Sequence, residues 1–352
     1  MAVTLSSLDD LDRLEADEII DVRSPAEFAE DHLPGAVNLP VLSDAERARV
    51  GTIYVQQDAF LARKIGAALV ARNAAAHIEG PLASRDGGWR PLVYCWRGGQ
   101  RSGSFASILA QIGWRVQLLE GGYRSYRRLV KAALYDARFP VPVILLDGNT
   151  GTAKTELLHL LAARGLQVID LEGLANHRGS LFGPRPGGQP GQKAFESALA
   201  AAMRQLDPGR AVVIEAESSK VGERILPPAL WSAMKAAPRV TLSAPLEARA
   251  RYLARAYADM TADPERLCAT IAMLRRLHGA DVTERWQALA RAGDFTGLAA
   301  ELMKLHYDPR YARQRARTGD TGGAAVALGD LSAEGLARGA DRLAHEIRAL
   351  GG

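Results

Sequence analysis

The sequence has few cysteines and no long apolar run, and both absences limit what the chain of 352 residues can be. Two cysteines, Cys95 and Cys268, are too few for a disulfide framework or a cysteine-rich metal site, which favours a reducing compartment. No uninterrupted apolar stretch approaches the roughly 18 residues that a membrane span requires. Residues 1–12 show no basic segment before an apolar core, so we expect no signal peptide. These absences predict a cytoplasmic protein without a membrane segment.

Charge is unevenly distributed along the chain. Residues 1–138 contain 17 basic and 17 acidic residues, and the totals of 44 and 40 leave 27 and 23 for the remainder. The whole formal charge of +4 therefore lies in the second part, where it permits a polyanionic partner. The seven histidines show no ligand spacing, so we predict no structural metal. The length predicts two or three domains.

A loop rich in glycine and arginine lies between a predicted strand at residues 91–94 and a predicted helix at residues 102–112. It contains Cys95, Arg97, Gly98, Gly99 and Arg101. Backbone N–H groups in such a turn converge on an anion, and nearby positive charge favours a thiolate. The alternative is a buried cysteine that only packs, but that role requires neither glycines nor arginines. We predict that Cys95 is a nucleophile.

A second glycine loop follows a predicted buried strand at residues 141–146. It contains Gly148, Gly151, Lys154 and Thr155 and precedes a helix, which is the context of a P-loop. Its amides and Lys154 are expected to bind a phosphate chain, and Thr155 to reach a Mg²⁺. Ala153 replaces the glycine expected before the lysine. We expect a negative φ there, and slow nucleotide hydrolysis if any.

Further polar candidates lie at or after the ends of the next two predicted strands, at residues 166–170 and 211–218, where doubly wound folds bind ligands. They are Asp170, Glu172, His177, Arg178, Glu215 and Glu217. Glu215 is placed to act on Mg²⁺, and the alternative is an acid at a strand end on the surface. Residues 184–191 are rich in glycine and proline, which predicts an irregular substrate loop before a helix at residues 193–206.

The last third of the chain is predicted to be helical, with a loop at residues 318–324 and a final helix at residues 331–350. Arginines recur through it, with Trp286, Tyr307 and Tyr311 interleaved. Guanidinium groups and aromatic rings together suit single-stranded RNA, although solvated helix faces explain individual arginines equally well. These arginines are Arg249, Arg251, Arg255, Arg275, Arg276, Arg310, Arg313, Arg315 and Arg317.

The first part of the chain resembles a rhodanese domain. The resemblance rests on Asp-Val-Arg-Ser-Pro-x-Glu-Phe at residues 21–28, His-x-Pro-Gly-Ala-x-Asn-x-Pro at residues 32–40, and the Cys95 loop. Asp31 replaces the glycine more often found there. Arg101 follows Cys95 by six positions, as in the phosphate-binding loop of tyrosine phosphatases, so we expect an anion larger than a bare sulfur. Tyr94 replaces the histidine of those phosphatases, which favours transfer over phosphate hydrolysis.

The whole chain is similar to the tRNA 2-selenouridine synthase family. That similarity rests on residues 170–183 (Asp-Leu-Glu-Gly-Leu-Ala-x-His-Arg-Gly-Ser-x-Phe-Gly), on Glu-x-Glu-Ser from Glu215, and on Cys-x-Arg-Gly-Gly-x-Arg-Ser from Cys95. It extends to Tyr-Asp-Pro-Arg-Tyr at residues 307–311 and to a helix-rich insert containing Gly66. Gly66 interrupts an alanine-rich helical run, and its alternative explanation is close helix packing.

The resemblance implies an α/β fold: a rhodanese-like domain at residues 1–138, then a P-loop domain with a helical C-terminal extension at residues 139–352. It implies a transferase that replaces the 2-sulfur of wobble 2-thiouridine by selenium, in tRNAs of the Lys, Glu and Gln type. The donor is selenophosphate, supplied by selenophosphate synthetase, and the intermediate is S-geranyl-2-thiouridine made from geranyl diphosphate. No tightly bound cofactor is expected.

The resemblance also implies roles for the two loops. Cys95 is the nucleophile of the selenium step, either through a perselenide or by taking up the leaving group. Arg97, Gly98, Gly99 and Arg101 hold selenophosphate, and Gly148, Gly151, Lys154 and Thr155 bind the diphosphate of the geranyl donor.

Two other functions remain open at this point. One is a P-loop kinase fused to a phosphatase-like rhodanese, with Asp170 as the catalytic base. The other is a non-catalytic tRNA-binding module, against which Cys95 and its loop argue.

Overall fold

The chain divides into two compact units. The first comprises Met1–Asp136 with Gly191–Ala200, and the second comprises Ala137–Pro190 with Ala201–Gly352. The structure is a computed structural model that describes residues 2–318 and 323–351, with the side chains of all of these except residues 314–318. The sequence analysis places the domain boundary after residue 138, and the structure divides the chain after Asp136 but assigns a later segment to the first unit.

The first unit is built on a parallel sheet with the strand order β1-β5-β4-β2-β3. Its strands are β1 (Ala2–Val3), β2 (Glu18–Asp21), β3 (Ala36–Asn38), β4 (Pro91–Tyr94) and β5 (Gln117–Leu119). Strand β4 is central and buried along its whole length, which agrees with its apolar sequence. Cys95 directly follows β4, so it lies at the centre of the side of the sheet formed by the carboxyl ends of the strands.

Helices surround this sheet. They are α1 (Pro25–Glu30), α2 (Asp44–Gln56), α3 (Ala59–Glu79), α4 (Gln100–Ile112) and α5 (Tyr123–Lys131), with a 3₁₀ helix at Leu8–Arg13 and a π-helical turn at Ala132–Asp136. Helix α4 ends at Gly113, whose φ of 110° is left-handed, as predicted. Helices α2 and α3 form the helix-rich insert. The core includes Ile20, Val93, Phe105 and Leu109.

A segment from later in the chain, Gly191–Ala200, completes the first unit. Asp31 is buried and accepts hydrogen bonds from the Tyr123 hydroxyl at 2.7 Å and the Ser197 hydroxyl at 2.8 Å. Glu196 forms an ion pair with Arg127. The aspartate that departs from the common rhodanese pattern is thus the acceptor for the added segment.

The second unit contains another parallel sheet, with the strand order β12-β11-β6-β8-β7. Its strands are β6 (Val143–Gly148), β7 (Gln167–Ile169), β8 (Val212–Glu215), β11 (Arg239–Ser243) and β12 (Gly323–Ala327), and a short antiparallel pair is formed by β9 (Lys220–Val221) and β10 (Arg224–Ile225). The chain builds the sheet outwards from β6, first on the side of β8 and β7 and then on the side of β11 and β12. Ligands bind at such switch points, beyond the carboxyl ends of the strands.

Most of the remaining residues of the second unit are helical. The helices are α6 (Lys154–Ala162), α7 (Leu171–Leu174), α8 (Gln192–Arg204, whose first part belongs to the first unit), α9 (Pro228–Ala236), α10 (Leu246–Ala256), α11 (Ala258–Thr261), α12 (Pro264–Ala272), α13 (Arg275–His278), α14 (Ala280–Arg291), α15 (Phe295–Leu302), a π-helical turn at Met303–Tyr307, α16 (Asp308–Thr318) and α17 (Ala333–Gly351). Residues 184–191 are irregular apart from an isolated bridge at Pro184, as predicted.

The predicted loop at residues 318–324 is wrong where it can be compared, because Gly323 and Ala324 begin strand β12. Gly323 has a φ of 151°, and a Cβ there would overlap the Arg239 carbonyl oxygen of β11. Gly323 is interpreted from the sequence as part of a loop, but in the structure it allows β12 to pair closely with β11. Residues 319–322, and the side chains of Arg315 and Arg317, lie outside the described residues.

Within the part of the chain that the structure describes, no helix is both long enough and apolar enough to cross a membrane.

Candidate active sites

The first candidate site is a buried thiol at the end of β4. Only 3% of Cys95 is exposed, and its Sγ accepts hydrogen bonds from the Gly99 N–H at 3.3 Å and the Ser102 hydroxyl at 3.2 Å. Burial acts to raise the pKa of Cys95, but hydrogen bonds from Ser102, Arg97 and Gly99 outweigh it, so the pKa lies below its ordinary value. The arrangement favours a thiolate, which is the reactive form.

The loop after Cys95 is fixed by a pair of glycines, Gly121 and Gly122. The Tyr123 N–H donates to the Cys95 carbonyl oxygen at 2.8 Å. A Cβ on Gly122 would lie 2.3 Å from that oxygen and 2.5 Å from the Gly98 nitrogen. Gly98 itself has a φ of 66°. Glycine is therefore required at positions 98 and 122 for the loop after Cys95 and the turn before Tyr123 to approach each other.

The two arginines of the loop are placed differently. Arg101 makes a bidentate ion pair with Glu27, with N–O distances of 2.7 and 3.3 Å. Glu27 also pairs with Arg47 at 3.0 Å. Burial acts to raise the pKa of Glu27, but Arg101 and its other partners hold it below its ordinary value. Arg97 and Gly98 are exposed, so the loop presents Arg97 to solvent beside the thiol.

Gly66 lies in α3 and faces a groove beside this loop. A Cβ at Gly66 would meet only the Val50 Cγ1, at 3.6 Å, which is ordinary van der Waals contact. Close helix packing therefore does not explain the glycine.

The second candidate site is the P-loop between β6 and α6. The Lys154 Nζ donates to the Gly148 carbonyl oxygen at 2.8 Å, so the side chain curls back over the loop. A Cβ on Gly148 would lie 2.6 Å from the Thr152 Oγ1. Ala153 has a φ of 59°, so the expectation of a negative φ is wrong. The turn imposes a left-handed conformation on whichever residue precedes the lysine, and an L-residue is strained there.

The P-loop is tied to distant parts of the second unit through Asp308. Its carboxylate accepts from Asn149 at 2.9 Å and from Arg249 at 2.9 and 2.8 Å. Arg249 also donates to the Thr150 carbonyl oxygen at 3.2 Å. Arg249 is buried, so it supports the loop and does not belong to a solvated basic face.

Two carboxyl groups share the cavity with Lys154. Glu172 accepts from the Thr155 hydroxyl at 3.0 Å and lies 3.6 Å from Arg185. Burial raises the pKa of Glu172, and burial together with the neighbouring Glu172 raises that of Glu217 to about 8. Both shifts favour the protonated acid, and a protonated carboxyl group reduces the repulsion of an anion at Lys154.

Asp170 and Glu215 serve the scaffold. The Asp170 carboxylate accepts from the Gly173 N–H at 2.6 Å and contacts His159 at 2.8 Å, so both of its oxygens are engaged. Glu215 is fully buried and accepts from the Leu171 N–H at 3.1 Å. Burial holds the pKa of Glu215 well above its ordinary value. The alternative of a surface acid at Glu215 is wrong.

His177 and Arg178 order the segment above the P-loop. His177 is buried and its Nδ1 accepts from the Gly179 N–H at 3.1 Å. Burial and the nearby Arg185 lower the pKa of His177. Arg178 pairs with Asp259 at 2.6 Å.

Two adjoining cavities open at this end of the second unit. One, of about 450 Å³, is polar and is lined by the P-loop, both carboxyls of the shared pair, Arg185 and Tyr311. The other is apolar, and its walls include Phe182, Leu253, Met260, Leu298, Leu302 and Met303. Thr150, Ser180, Leu253 and Tyr257 line both, so the two cavities are neighbours.

Both units match known families. The family model described as the tRNA 2-selenouridine synthase AAA domain matches residues 141–270, and the rhodanese-like domain matches residues 6–129. A tRNA 2-selenouridine synthase of Shewanella loihica is 34% identical over 331 residues, covering 86% of this chain and 88% of that protein. The chain belongs to the tRNA 2-selenouridine synthase family.

A further relative agrees with membership of the selenouridine synthase family. A tRNA 2-selenouridine synthase of Chromohalobacter salexigens is 38% identical over 250 residues, which are 68% of this chain and 65% of that protein. A solved N-terminal domain of a Clostridium difficile 630 protein, described as ATP/GTP binding, is 32% identical, covers 37% of this chain and 98% of that one, and has a TM-score of 0.33. Membership confirms the predicted fold class and makes the chain an enzyme of this type.

Sequence reasoning for this selenouridine synthase missed several supporting residues. Ser102 was within the quoted motif, beside Arg101, but its bond to the thiol was not foreseen. In the sequence, Glu27 is part of the rhodanese pattern and Asp308 is part of a family motif, and neither pattern indicates a partner. Glu27 and Asp308 each act on a loop far away in sequence, and only the fold brings them to it.

Proposed function

We propose that the chain replaces the 2-sulfur of wobble 2-thiouridine in tRNA by selenium, with selenophosphate as donor and S-geranyl-2-thiouridine as intermediate. Family membership supports a selenouridine synthase acting on tRNA. The observation that carries the finer proposal is the apolar cavity beside the P-loop. The polar cavity of about 450 Å³ suits a diphosphate, and the apolar cavity of about 70 Å³ suits the first carbons of an apolar chain joined to it, whereas a polar nucleoside does not need the apolar cavity.

The first step takes place at the P-loop. The 2-sulfur attacks C1 of geranyl diphosphate, a carbon–sulfur bond forms, and the carbon–oxygen bond to diphosphate breaks. The proton lost from the base leaves with the diphosphate. Lys154 and the loop amides bind the growing negative charge, and Gly148 and Gly151 allow the backbone its close approach. The apolar walls hold the geranyl chain.

The second step takes place at Cys95. Selenium from selenophosphate forms a bond to C2, and the bonds C2–sulfur and phosphorus–selenium break, releasing geranyl thiol and phosphate with one water consumed. No oxidant or reductant is needed. The N–H groups of Gly98 and Gly99, together with Arg97, hold selenophosphate. The Cys95 thiolate attacks C2 and displaces geranyl thiol, and selenium then displaces the Cys95 sulfur from C2, so that the thiolate is regenerated. Arg101 reaches the anion by exchanging its partner Glu27 for it.

A Mg²⁺ accompanying the diphosphate suits the P-loop. Thr155 and Glu172 supply the hard oxygen ligands that this ion prefers, and they already contact each other at 3.0 Å. Bound there, the ion would neutralise diphosphate charge. Among the described residues, no three of His, Cys, Asp or Glu cluster as a metal site.

The proposal is tested by separating the two steps. Lys154→Ala should slow geranylation by on the order of 10²–10³, because one preorganised contact to the departing charge is lost. It should still convert a tRNA that arrives already geranylated. Cys95→Ser should accumulate geranylated tRNA. Each variant is supplied with 2-thiouridine tRNA and with pre-geranylated tRNA, and the nucleosides are identified by mass spectrometry.

Matched controls are Cys268→Ser, a half-buried cysteine in a helical cluster, and Lys235→Ala, an exposed lysine of α9. Both should behave as wild type. Full selenouridine formation by Cys95→Ser would contradict the role of the thiol. A wild type that requires ATP would contradict the diphosphate function of the P-loop.

A further inference from the structure

A groove on the first unit leads to the Cys95 loop. It has a volume of about 880 Å³, within the range of about 300–1,000 Å³ typical of ligand sites, and lies between α2, α3 and the start of α4. Gln100, Arg101 and Ser104 form the end nearest the thiol. Gln100 directly follows Gly99, whose N–H donates to the Cys95 Sγ. One end of the groove is thus formed by the helix that directly follows the Cys95 loop.

The charge of the groove walls has one sign. Arg47, Arg63 and Arg101 line the groove, and its described lining includes no carboxylate. Glu27 contacts this lining, where it pairs with both Arg47 and Arg101. Arg63 is exposed. A wall of this kind attracts a polyanion.

The groove also carries exposed apolar side chains. Tyr54 is 57% exposed and Val55 is 82% exposed, although both line the groove. An aromatic ring beside arginines is the combination on which an unstacked nucleic-acid base and its phosphates bind. Gly66 adds no side chain to the wall, which keeps the groove open.

We propose that this groove binds a single-stranded RNA segment, the anticodon loop of the substrate tRNA, with a base stacked on Tyr54 and phosphates bound by Arg63. The proposal rests on the function proposed above and adds to it the surface that takes the RNA. An apolar peptide would bring no negative charge to the exposed Arg63, and the test below distinguishes a second copy of the chain. The position of this site also differs from the sequence expectation, in which the excess of basic residues lies in the second part of the chain.

The test measures binding of a labelled anticodon stem-loop RNA containing 2-thiouridine to the full chain at several salt concentrations. Tyr54→Ala should weaken binding about 5-fold to 150-fold, the effect of losing one stacked base. Arg63→Gln should reduce the salt slope of log affinity by about 0.7. Both side chains are exposed, so the fold should be unaffected.

The two control residues lie in α3, the helix that also carries Arg63. Phe60→Ala removes an aromatic ring that is 66% exposed but does not line the groove, and Arg72→Gln removes an exposed arginine that does not line it. Each should change affinity less than about twofold. Fully paired RNA should bind Tyr54→Ala as it binds wild type.

Three results would overturn the groove assignment. They are groove variants that bind like the controls, an equal loss for paired RNA, or a changed oligomeric state with unchanged RNA affinity, which would assign the groove to a second copy. A wild type that binds no tRNA at all would instead contradict the proposed function.

Discussion

At the scale of single residues, the thiol of Cys95 shows how opposing effects set a reactive group. Burial in the core disfavours the thiolate, and hydrogen bonds from the loop favour it. The Ser102 hydroxyl is the largest favourable contribution. The loop glycines must remain for the backbone to fold, so Ser102, whose hydroxyl also lies 3.2 Å from the Gly99 carbonyl oxygen, is the contact to the thiol that can be removed while every loop glycine is kept.

Ser102→Ala should therefore raise the pKa of Cys95 and shift the pH profile of the selenium step to higher pH. A higher pKa means less thiolate at any pH below it, so the rate at neutral pH should fall and recover on the alkaline side. The measurement is single-turnover conversion of pre-geranylated tRNA as a function of pH. Ser107→Ala, an exposed serine of the same helix, is the control. An unshifted profile in Ser102→Ala would show that the hydroxyl does not tune the thiol.

Residues of short-range motifs could be predicted from the sequence, and their partners could not. Cys95 and Lys154 are marked by neighbours within a few positions. Glu27, which holds Arg101, is 74 residues away from it, and Asp308 is 159 residues from Asn149. No local pattern encodes such a pairing, because it depends on how the strands are ordered in the sheet.

At the scale of elements, the turn that joins β6 to α6 is strained at Ala153. A left-handed L-residue costs about 1–2 kcal/mol. The methyl group is also buried, with 3% of Ala153 exposed, which returns about 0.8 kcal/mol. Glycine would also increase the entropy of the unfolded chain, which lowers the free energy of unfolding by about 0.4–1 kcal/mol. These effects nearly cancel.

Ala153→Gly should accordingly change the free energy of unfolding of the second unit by less than about 1 kcal/mol. The reverse change two residues earlier should be costly. Gly151 has a φ of 86°, and a Cβ there would lie 3.1 Å from the Arg249 Cβ, so Gly151→Ala should destabilise by more than about 1 kcal/mol. Denaturant unfolding of both variants is the measurement. A large gain from Ala153→Gly would mean that the buried methyl contributes little.

Elements with a strong pattern were predictable, and those defined by pairing were not. The strand before Cys95 and the helix after it agree with the structure because an apolar run and a glycine stop mark them. Strand β12 was missed, since its glycine and alanine residues resemble a loop until they pair with β11.

At the scale of the whole molecule, the chain enters the first unit twice. Gly191–Ala200 belongs to it, although this segment is flanked on both sides by sequence of the second unit. Glu196 accepts hydrogen bonds from Tyr135 at 2.7 Å and Gln192 at 3.0 Å besides its ion pair with Arg127. Contact between residues this far apart was not predictable from either domain pattern.

Glu196→Gln should loosen the first unit, because Arg127 loses its carboxylate in a largely buried place. Breaking such a pair costs on the order of 3 kcal/mol. Hydrogen exchange of the β4 and β5 amides in the full chain is the measurement, and faster exchange is expected. Glu334→Gln, which breaks an exposed pair with Arg338, should have no such effect. Unchanged exchange in Glu196→Gln would show that the segment does not stabilise the unit.

The double entry of the chain has a consequence for exchanging domains between relatives. A chimera joined near Asp136 would combine Asp31 from one parent with Ser197 from the other. If the first parent has glycine at position 31, the Ser197 hydroxyl loses its acceptor. The unit that can be exchanged is therefore discontinuous in sequence, because residues 1–136 must be transferred together with residues 191–200. Residues 31 and 197 are expected to change together during evolution.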